Sequence, residues 1–352
     1  MIKTKSLGEA LALISPAISG KTMQILGHAL VKSENGLTTV TGFDTEIQIV
    51  SKFESISDGD MAICIDYDKL NKFCKVSSGA EIELKIKDDK AILKAKSRST
   101  ISTLPADNYP TMSEKVVEMV SVKVDASELA TALDSVLYAC AVQDVRHYLL
   151  GALFKVSGGK LSIIGCNGAR IAITSIEVVS NADIECIIPR KTAMTLAKTF
   201  RSGEIELMLC KSSMAIDDGF VAISGKCIDA KYPVFDKAFD LKRHTAAVID
   251  SKVLIDSIES VSITTGDFFA ISMEFKKDTM TLTSFTGTDE SVITVDCVYS
   301  GDDCTIGLSS VLLSEAVKKT SGLINLEVGM KSENVLITDS TSTRHLVMSI
   351  RI

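Results

Sequence analysis

The chain has no tryptophan, five prolines and four histidines, and aromatic residues make up only 5% of its 352 positions. So little aromatic surface argues against a stacking platform that grips single-stranded nucleic acid. Four widely spaced histidines argue against a zinc site. The nine cysteines are scattered, odd in number and without a CxxC pair. That is the pattern of free thiols in a reducing cytoplasm, most of them packing as small hydrophobes. No apolar run reaches the roughly 18–20 residues that cross a bilayer. The opening MIKTKSLGEALALISPAIS mixes charge into its apolar stretch and lacks the layout of a signal peptide. A soluble, cytoplasmic protein without membrane contact is expected.

Catalytic signatures are missing too. There is no GxxxxGK[ST], GxSxG or HExxH, and no helix-turn-helix, zinc-finger or RNP pattern. The pairs Asp217–Asp218 and Asp302–Asp303 are adjacent carboxylates, which in a strand point to opposite faces. A two-metal centre usually needs several convergent carboxylates, so these read as turn residues. Asp88–Asp89 fits a hairpin turn between Ile86 and Ala91. His147, between Arg146 and Tyr148, has no evident nucleophile to serve. No catalytic residue, metal or cofactor is expected.

What the chain does have is a threefold repeat. A strand-then-helix phrase opens at residues 2–13 (IKTKSLGEALAL), 122–133 (VKVDASELATAL) and 247–258 (AVIDSKVLIDSI). A second phrase follows later in each copy, at 80–84 (AEIEL), 203–207 (GEIEL) and 323–326 (LINL). The period, about 120 residues, is that of a small domain and far exceeds a solenoid repeat. Each copy is long enough to bury its own core. Boundaries are placed near 119/120 and 244/245, after loop-like stretches at 108–115 and 236–244, giving domains 1–119, 120–244 and 245–352.

Each copy divides into two similar halves. The first has a short strand and an amphipathic helix; in the middle copy Ser127 or Asp125 caps a helix carrying Leu129, Leu133, Val136 and Leu137. Alternating segments follow at 152–156, 161–164 and 170–176, with a turn at 166–168; their counterparts are 37–49 and 280–295. The second half opens with strands 62–65, 185–188 and 305–308, leading into helices 67–76, 191–200 and 311–320. Pro189 stands where strand gives way to helix, where its missing N–H is tolerated. Strands 81–86, 91–95 and 99–103 close the first copy. Two helices and roughly eight strands per copy predict an α+β fold, with antiparallel sheets and both helices on one side.

The second helices are rich in cations: Lys69, Lys72 and Lys75; Arg190, Lys191, Lys198 and Arg201; Lys318 and Lys319. A solvated face is the ordinary use of such residues. Their recurrence in a chain of net charge −7 points instead to a basic stripe on an acidic body. Phosphate backbones ask for distributed positive charge and no particular sequence.

Five blocks give the chain a family resemblance: residues 102–110 (STLPADNYP), 143–154 (QDVRHYLLGALF), 165–172 (GCNGARIA), 188–191 (IPRK) and 347–352 (VMSIRI). In order and spacing they resemble the bacterial β sliding clamps, processivity subunits of replicative DNA polymerase III, and the resemblance runs from end to end. It implies three tandem clamp domains per chain, closed as a ring-shaped head-to-tail homodimer around double-stranded DNA. It implies no enzymatic activity, only tethering of DNA polymerase and clamp-loader subunits through short peptide motifs. Edge strands pairing across module boundaries would remove exposed sheet edges. The family's DNA contacts map onto Lys21, Gln143, Arg146, Tyr148, Arg190 and Lys191. Helix position adds Lys69, Lys72, Lys198 and Arg201. The implied peptide pocket maps onto Leu149, Cys166, Gly168, Arg170, Ile171, Pro233, Lys237, Phe268, Leu312, Val347, Met348 and Arg351, an apolar pocket with a few polar anchors. Ile101 and Ile263 match apolar positions of the dimer contact, while Ser99 and Ser262 replace bulkier ones. In the pocket Cys166, Ala169, Lys237, Leu312, Ser349 and Ile350 depart from the usual residues, which implies a shifted peptide preference. Two other classes compete: a DNA-processing enzyme, which needs a metal–carboxylate cluster, and a structural repeat protein indifferent to DNA.

Overall fold

A computed structural model describes every residue except 57–58, 78, 80, 113–117 and 352. Ala80 of the second repeated phrase, 113–115 of the first boundary loop and the terminal Ile352 therefore lie outside the described residues. Each copy reads strand, helix, four strands, helix, three strands. The first runs β1 (Ile2–Lys3), α1 (Thr4–Ile14), β2 (His28–Glu34), β3 (Leu37–Phe43), β4 (Ile47–Glu54), β5 (Met61–Asp66), α2 (Tyr67–Val76), β6 (Glu81–Lys87), β7 (Lys90–Lys94) and β8 (Arg98–Pro105). The second runs β9 (Val120–Asp125), α3 (Ala126–Val136), β10 (Gly151–Ser157), β11 (Lys160–Cys166), β12 (Arg170–Glu177), β13 (Ile184–Pro189), α4 (Arg190–Thr199), β14 (Glu204–Leu209), β15 (Ser213–Asp217) and β16 (Val221–Lys226). After a short helix α5 (Asp236–Phe239), the third runs β17 (Ala247–Asp250), α6 (Ser251–Val261), β18 (Ala270–Lys276), β19 (Thr279–Phe285), β20 (Glu290–Asp296), β21 (Cys304–Ser309), α7 (Ser310–Val317), β22 (Leu323–Val328), β23 (Asn334–Thr338) and β24 (Arg344–Met348).

Local chemistry explains the repeated opening. In α1 the buried Leu7, Ala10, Leu11 and Ile14 recur at helical spacing, as do Leu254, Ser257, Ile258 and Val261 in α6. The residue that ends a strand also caps the next helix. Asp66 accepts from Lys69 N, Asp250 from Lys252 N and Ser309 from Leu312 N, each satisfying an orphan donor. α3 starts at Ala126, so Asp125 takes the cap position and Ser127 falls inside the first turn. Both aspartates of the β6–β7 turn have positive φ, 48° at Asp88 and 54° at Asp89, as a two-residue hairpin requires. Asp217 and Asp218 accept backbone N–H groups of residues 219–221 in the β15–β16 turn. The predicted segments 37–49 and 280–295 are each a hairpin of two strands, broken where the ladder reverses.

The chain forms two compact units, Met1–Ala126 with Lys198–Cys227, and Ser127–Ala197 with Ile228–Ile352. The first holds a twelve-stranded sheet, β1-β6-β7-β8-β5-β2-β3-β4-β16-β15-β14-β9. Within it α1 packs beside α2 and against β3 and β4. The second holds an eight-stranded sheet, β13-β10-β11-β12-β24-β23-β22-β17, and a four-stranded one, β20-β19-β18-β21. There α6 packs beside α7 and on β19 and β20. Pairing is antiparallel throughout the described ladders. Two of those ladders cross the repeat boundaries read in the sequence. β4 pairs with β16, Ile49 opposite Ile223, and β12 pairs with β24, Ala172 opposite His345. Edge strands of one copy are thus covered by the next, which removes templates for aggregation. All nine cysteines are free, and among the described residues no helix is long and apolar enough to cross a membrane.

Candidate functional site

In the first unit the buried face of α2, Leu70, Phe73 and Cys74, turns Lys69 and Lys72 to solvent. Lys21 is exposed on a loop held by the close approach of Gly20 and Gly27, where a Cβ on Gly27 would meet Gly20 Cα at 3.3 Å. That loop edges a cleft of about 530 Å³ lined also by Gln24, Asp66 and Asp68. Lys198 and Arg201 are exposed around the C-terminal end of α4.

In the second unit Arg190 and Lys191 are the first two residues of α4. A cation at a helix N-terminus opposes the macrodipole, at about 0.3–1 kcal/mol each. Helix stability therefore does not account for this pair, whereas Lys75 and Lys198, in last turns, are favoured there without any ligand. Arg190 Nε also donates to Leu137 O at 3.2 Å, which fixes the side chain's stem. In the third copy α7 ends at Val317, so Lys318 and Lys319 lie in the turn beyond it, and Lys318 pairs with Glu259 of α6 at 3.1 Å. The basic second helix is thus a feature of the first two copies.

Arg146 is differently placed. Its Nε and Nη2 hold both carboxylate oxygens of Asp144, at 2.9 and 2.8 Å. The guanidinium lies over Gly168, close enough that a Cβ there would meet Nη2 at 2.9 Å. Hydrogen bonds from Arg146 hold the Asp144 carboxyl down at about 2. Much of the charge assigned to phosphate contact is therefore neutralised within the loop. Gln143 beside it is exposed and Tyr148 half-buried.

Of the residues assigned to the peptide pocket, the structure brings four into one apolar cluster: Leu149, Cys166, Ile171 and, at its margin, Met348. Tyr232 and Leu346 belong to the same cluster, and Phe235 and Phe239 pack against it. Burial pushes the Cys166 thiol up, and its sulfur accepts from Gly168 N at 3.3 Å. Gly168 sits at φ +92°, where a side chain would be strained. Pro233 is half-buried, Lys237 is exposed on α5 and Arg351 is exposed. Val347 alternates away from Leu346 and Met348 and packs, with Leu312, into the other core of this unit. Phe268 stands 87% exposed between α6 and β18.

Arg170 is 7% exposed. It ion-pairs with Glu315 of α7, donates to Tyr138 O at 2.5 Å and stacks 4.8 Å over the Tyr138 ring. The Tyr138 hydroxyl meets His345 Nδ1 at 2.9 Å across the β12–β24 junction. His345 is held down at about 4, chiefly by burial, with Lys319 acting the same way and Asp339 opposing. Tyr138, Glu315, His345 and Tyr232 escaped the sequence reading. Among the described residues no group of three metal-binding side chains occurs.

Solved structures share the fold over the whole chain. The crystal structure of the DNA polymerase III subunit beta from Pseudomonas aeruginosa superposes with a TM-score of 0.94 at 24% identity, covering 100% of this chain and 99% of that one. The corresponding subunit from Thermotoga maritima gives 0.92 at 19% identity, covering 100% and 98%. Among curated proteins, the "Beta sliding clamp" of P. aeruginosa is 25% identical over 97% of this chain and 94% of its own length, and that of Escherichia coli K12 is 23% identical over 97% and 93%. The architecture is that of a DNA-clamp fold. Sequence models of the DNA polymerase III beta subunit match its N-terminal domain at residues 1–113 and its central domain at 123–234, more than half the chain together, and the chain belongs to that family.

Proposed function

We propose that the chain is a DNA sliding clamp: a homodimeric ring that encircles duplex DNA and tethers a replicative polymerase, with no chemistry and no sequence reading of its own. Its three clamp domains are 1–119, 120–244 and 245–352. Their sheets join end to end, β4 to β16 and β12 to β24, and this head-to-tail seam is the observation that carries the reading. A heterologous contact repeated with the right rotation closes on itself. Arg190 and Lys191, with Lys21, Lys69, Gln143 and Tyr148, supply weak contacts to a duplex held by topology. The cluster around Leu149, Cys166, Ile171 and Met348 takes the apolar end of a polymerase or clamp-loader peptide. The site of action is the cytoplasm.

Retention on DNA tests this. Labelled protein assembled on nicked circular DNA should stay bound through gel filtration and be lost once the circle is cut. Equal retention on both forms would overturn the reading. Charge reversal of both Arg190 and Lys191 should weaken equilibrium association with any duplex sequence alike. It should also reduce the slope of log affinity against log salt by about 2, roughly 0.9 per lost phosphate contact. An unchanged slope would remove these residues from the interface.

A further inference from the structure

The stretch 236–244 reads as a boundary loop in the sequence, yet the structure anchors it closely. α5 has four residues, closes on the bond from Asp240 N to Asp236 O at 3.1 Å, and has no side-chain cap at its start. A helix that short does not stand alone in water. Phe235, Ala238 and Phe239 pack against the cluster that holds Leu149, Cys166, Ile171 and Leu346. The two phenyl rings meet edge to face, their centroids 6.4 Å apart. Two arginines then fix the helix in place. Arg344 of β24 lies 4.6 Å over the Phe239 ring. Arg243 donates from Nη2 to Ala238 O at 3.1 Å, and from Nη1 to Glu327 O at 3.1 Å and Asn334 Oδ1 at 2.8 Å. Ala238 O is one of the carbonyls that the end of a helix leaves unpaired. A single guanidinium thus ties the open end of α5 to the β22–β23 hairpin. The backbone follows the same path: Met330 N donates to Lys242 O at 3.0 Å and His244 N to Val328 O at 2.8 Å.

We propose that Arg243 and Arg344 are positioning residues of the peptide pocket, holding α5 as a preformed wall so that an incoming apolar peptide end meets Phe235 and Phe239 already in place. The inference rests on the reading of this cluster as a peptide pocket. Stability alone does not account for Arg243. Partial burial pulls it below the usual arginine range, with Glu327 and Glu333 opposing. Among the described residues its Nε and the Asn334 Nδ2 have no hydrogen-bond partner. Such a charge can often be exchanged for an apolar side chain of like size without loss of stability. An apolar side chain could not hold one carbonyl of α5 and two groups of the third copy at once. Arg344 is exposed, and its guanidinium stacks where it orients the Phe239 ring. Lys237, the cation mapped to the pocket, is carried by the same helix.

A wall that is already ordered spares the peptide the entropy of assembling it. If α5 stood in place only about a tenth of the time, the apparent affinity would fall about tenfold.

Peptide binding and hydrogen exchange on the full chain test this. The probes are fluorescein-labelled hexapeptides ending in Leu-Phe, Leu-Leu or Ile-Leu, followed by fluorescence anisotropy. R243M and R344A should each weaken the tightest of them on the order of tenfold. Exchange in the segment 235–240 should speed up in both, with β10 and β11 unchanged. Arg344 is exposed, so R344A keeps the test open even where R243M disturbs folding. Phe239 contributes only while α5 is in place, so the losses from R243M and F239A should be less than additive. Fully additive losses overturn the inference. So do variants that bind as tightly as a binding wild type, which leaves the pocket reading standing. Weaker binding without faster exchange also overturns it, because the arginines would then touch the peptide themselves. A wild type that binds none of the peptides, although R243M still frees α5, overturns the pocket reading and takes the inference with it.

Discussion

Lowering the pH from 6.5 to 4 should cost the second unit on the order of 3 kcal/mol of stability, and His345→Asn should remove most of that loss. His345 is 1% exposed and titrates near 4 in the folded chain against 6.5 when unfolded. Between those values the unfolded state binds a proton that the folded state refuses, so stability rises with pH across the window. It is fully present above 6.5 and lost as pH falls towards 4, by about 1.4 kcal/mol per unit of displacement. The groups facing the imidazole are Tyr138 through its hydroxyl, Asp339 and Lys319, with Arg170 and Glu315 behind Tyr138. Asp339 is itself held below 3.8, so its contribution disappears at lower pH and does not overlap the histidine window. Asparagine retains a hydrogen-bonding group near the position of Nδ1 but cannot charge. Denaturant unfolding followed by circular dichroism at several pH values checks this. An equal slope in wild type and variant would exclude His345 as its origin.

Gly165→Ala should destabilise the same unit by about 3 kcal/mol, the upper part of the range for overpacking. The new methyl would meet the final carbonyl of α3 at 2.7 Å, Val136 Cγ1 at 3.0 Å and Cys140 Sγ at 3.1 Å. Two of these are backbone or a stiff β-branched side chain, so the helix end must move. Gly42→Ala meets its helix end at a longer 3.0 Å and should cost less. The third copy has solved the same contact differently. Ser284 hydrogen-bonds its helix end at 2.6 Å, so Ser284→Ala removes a buried hydrogen bond, at about 1 kcal/mol. Thermal or urea unfolding of the three variants should rank Gly165 first. A Gly165 variant as stable as wild type would mean that α3 yields freely.

Elements with strong local signals were legible in the sequence. Helix 67–76 coincides with α2, and the segments around 152–176 fall on β10 to β12, because apolar periodicity, capping aspartates and Gly or Asp turns all act within a few residues. Long-range pairing had no such signal. Nothing in the sequence of β16 says that Ile223 lies opposite Ile49, since register depends on two segments at once. The same blindness explains part of the site. Arg170 was mapped to the pocket because Glu315, 145 residues further along the chain, was not seen to reach it. The partner of Arg146, mapped to DNA contact by the resemblance, stands only two residues away at Asp144 and was overlooked at short range. Val347 was assigned to the pocket by its block, while strand alternation sends it to the opposite core.

The division of the middle copy between two compact units separates heredity from cooperativity. Duplication copied a segment of about 120 residues, a typical domain length. Each of the two larger sheets, however, joins one end copy to a half of the middle one, so an amide in β16 shares its protection with β4 and one in β12 shares its protection with β24. Local opening should follow those sheets and ignore the ancestral boundaries. The middle copy, excised alone, would leave open the edge of β12 at Arg170–Ile173 and that of β16 at Val221–Gly225. It has been inherited as a module but no longer carries its stability as one.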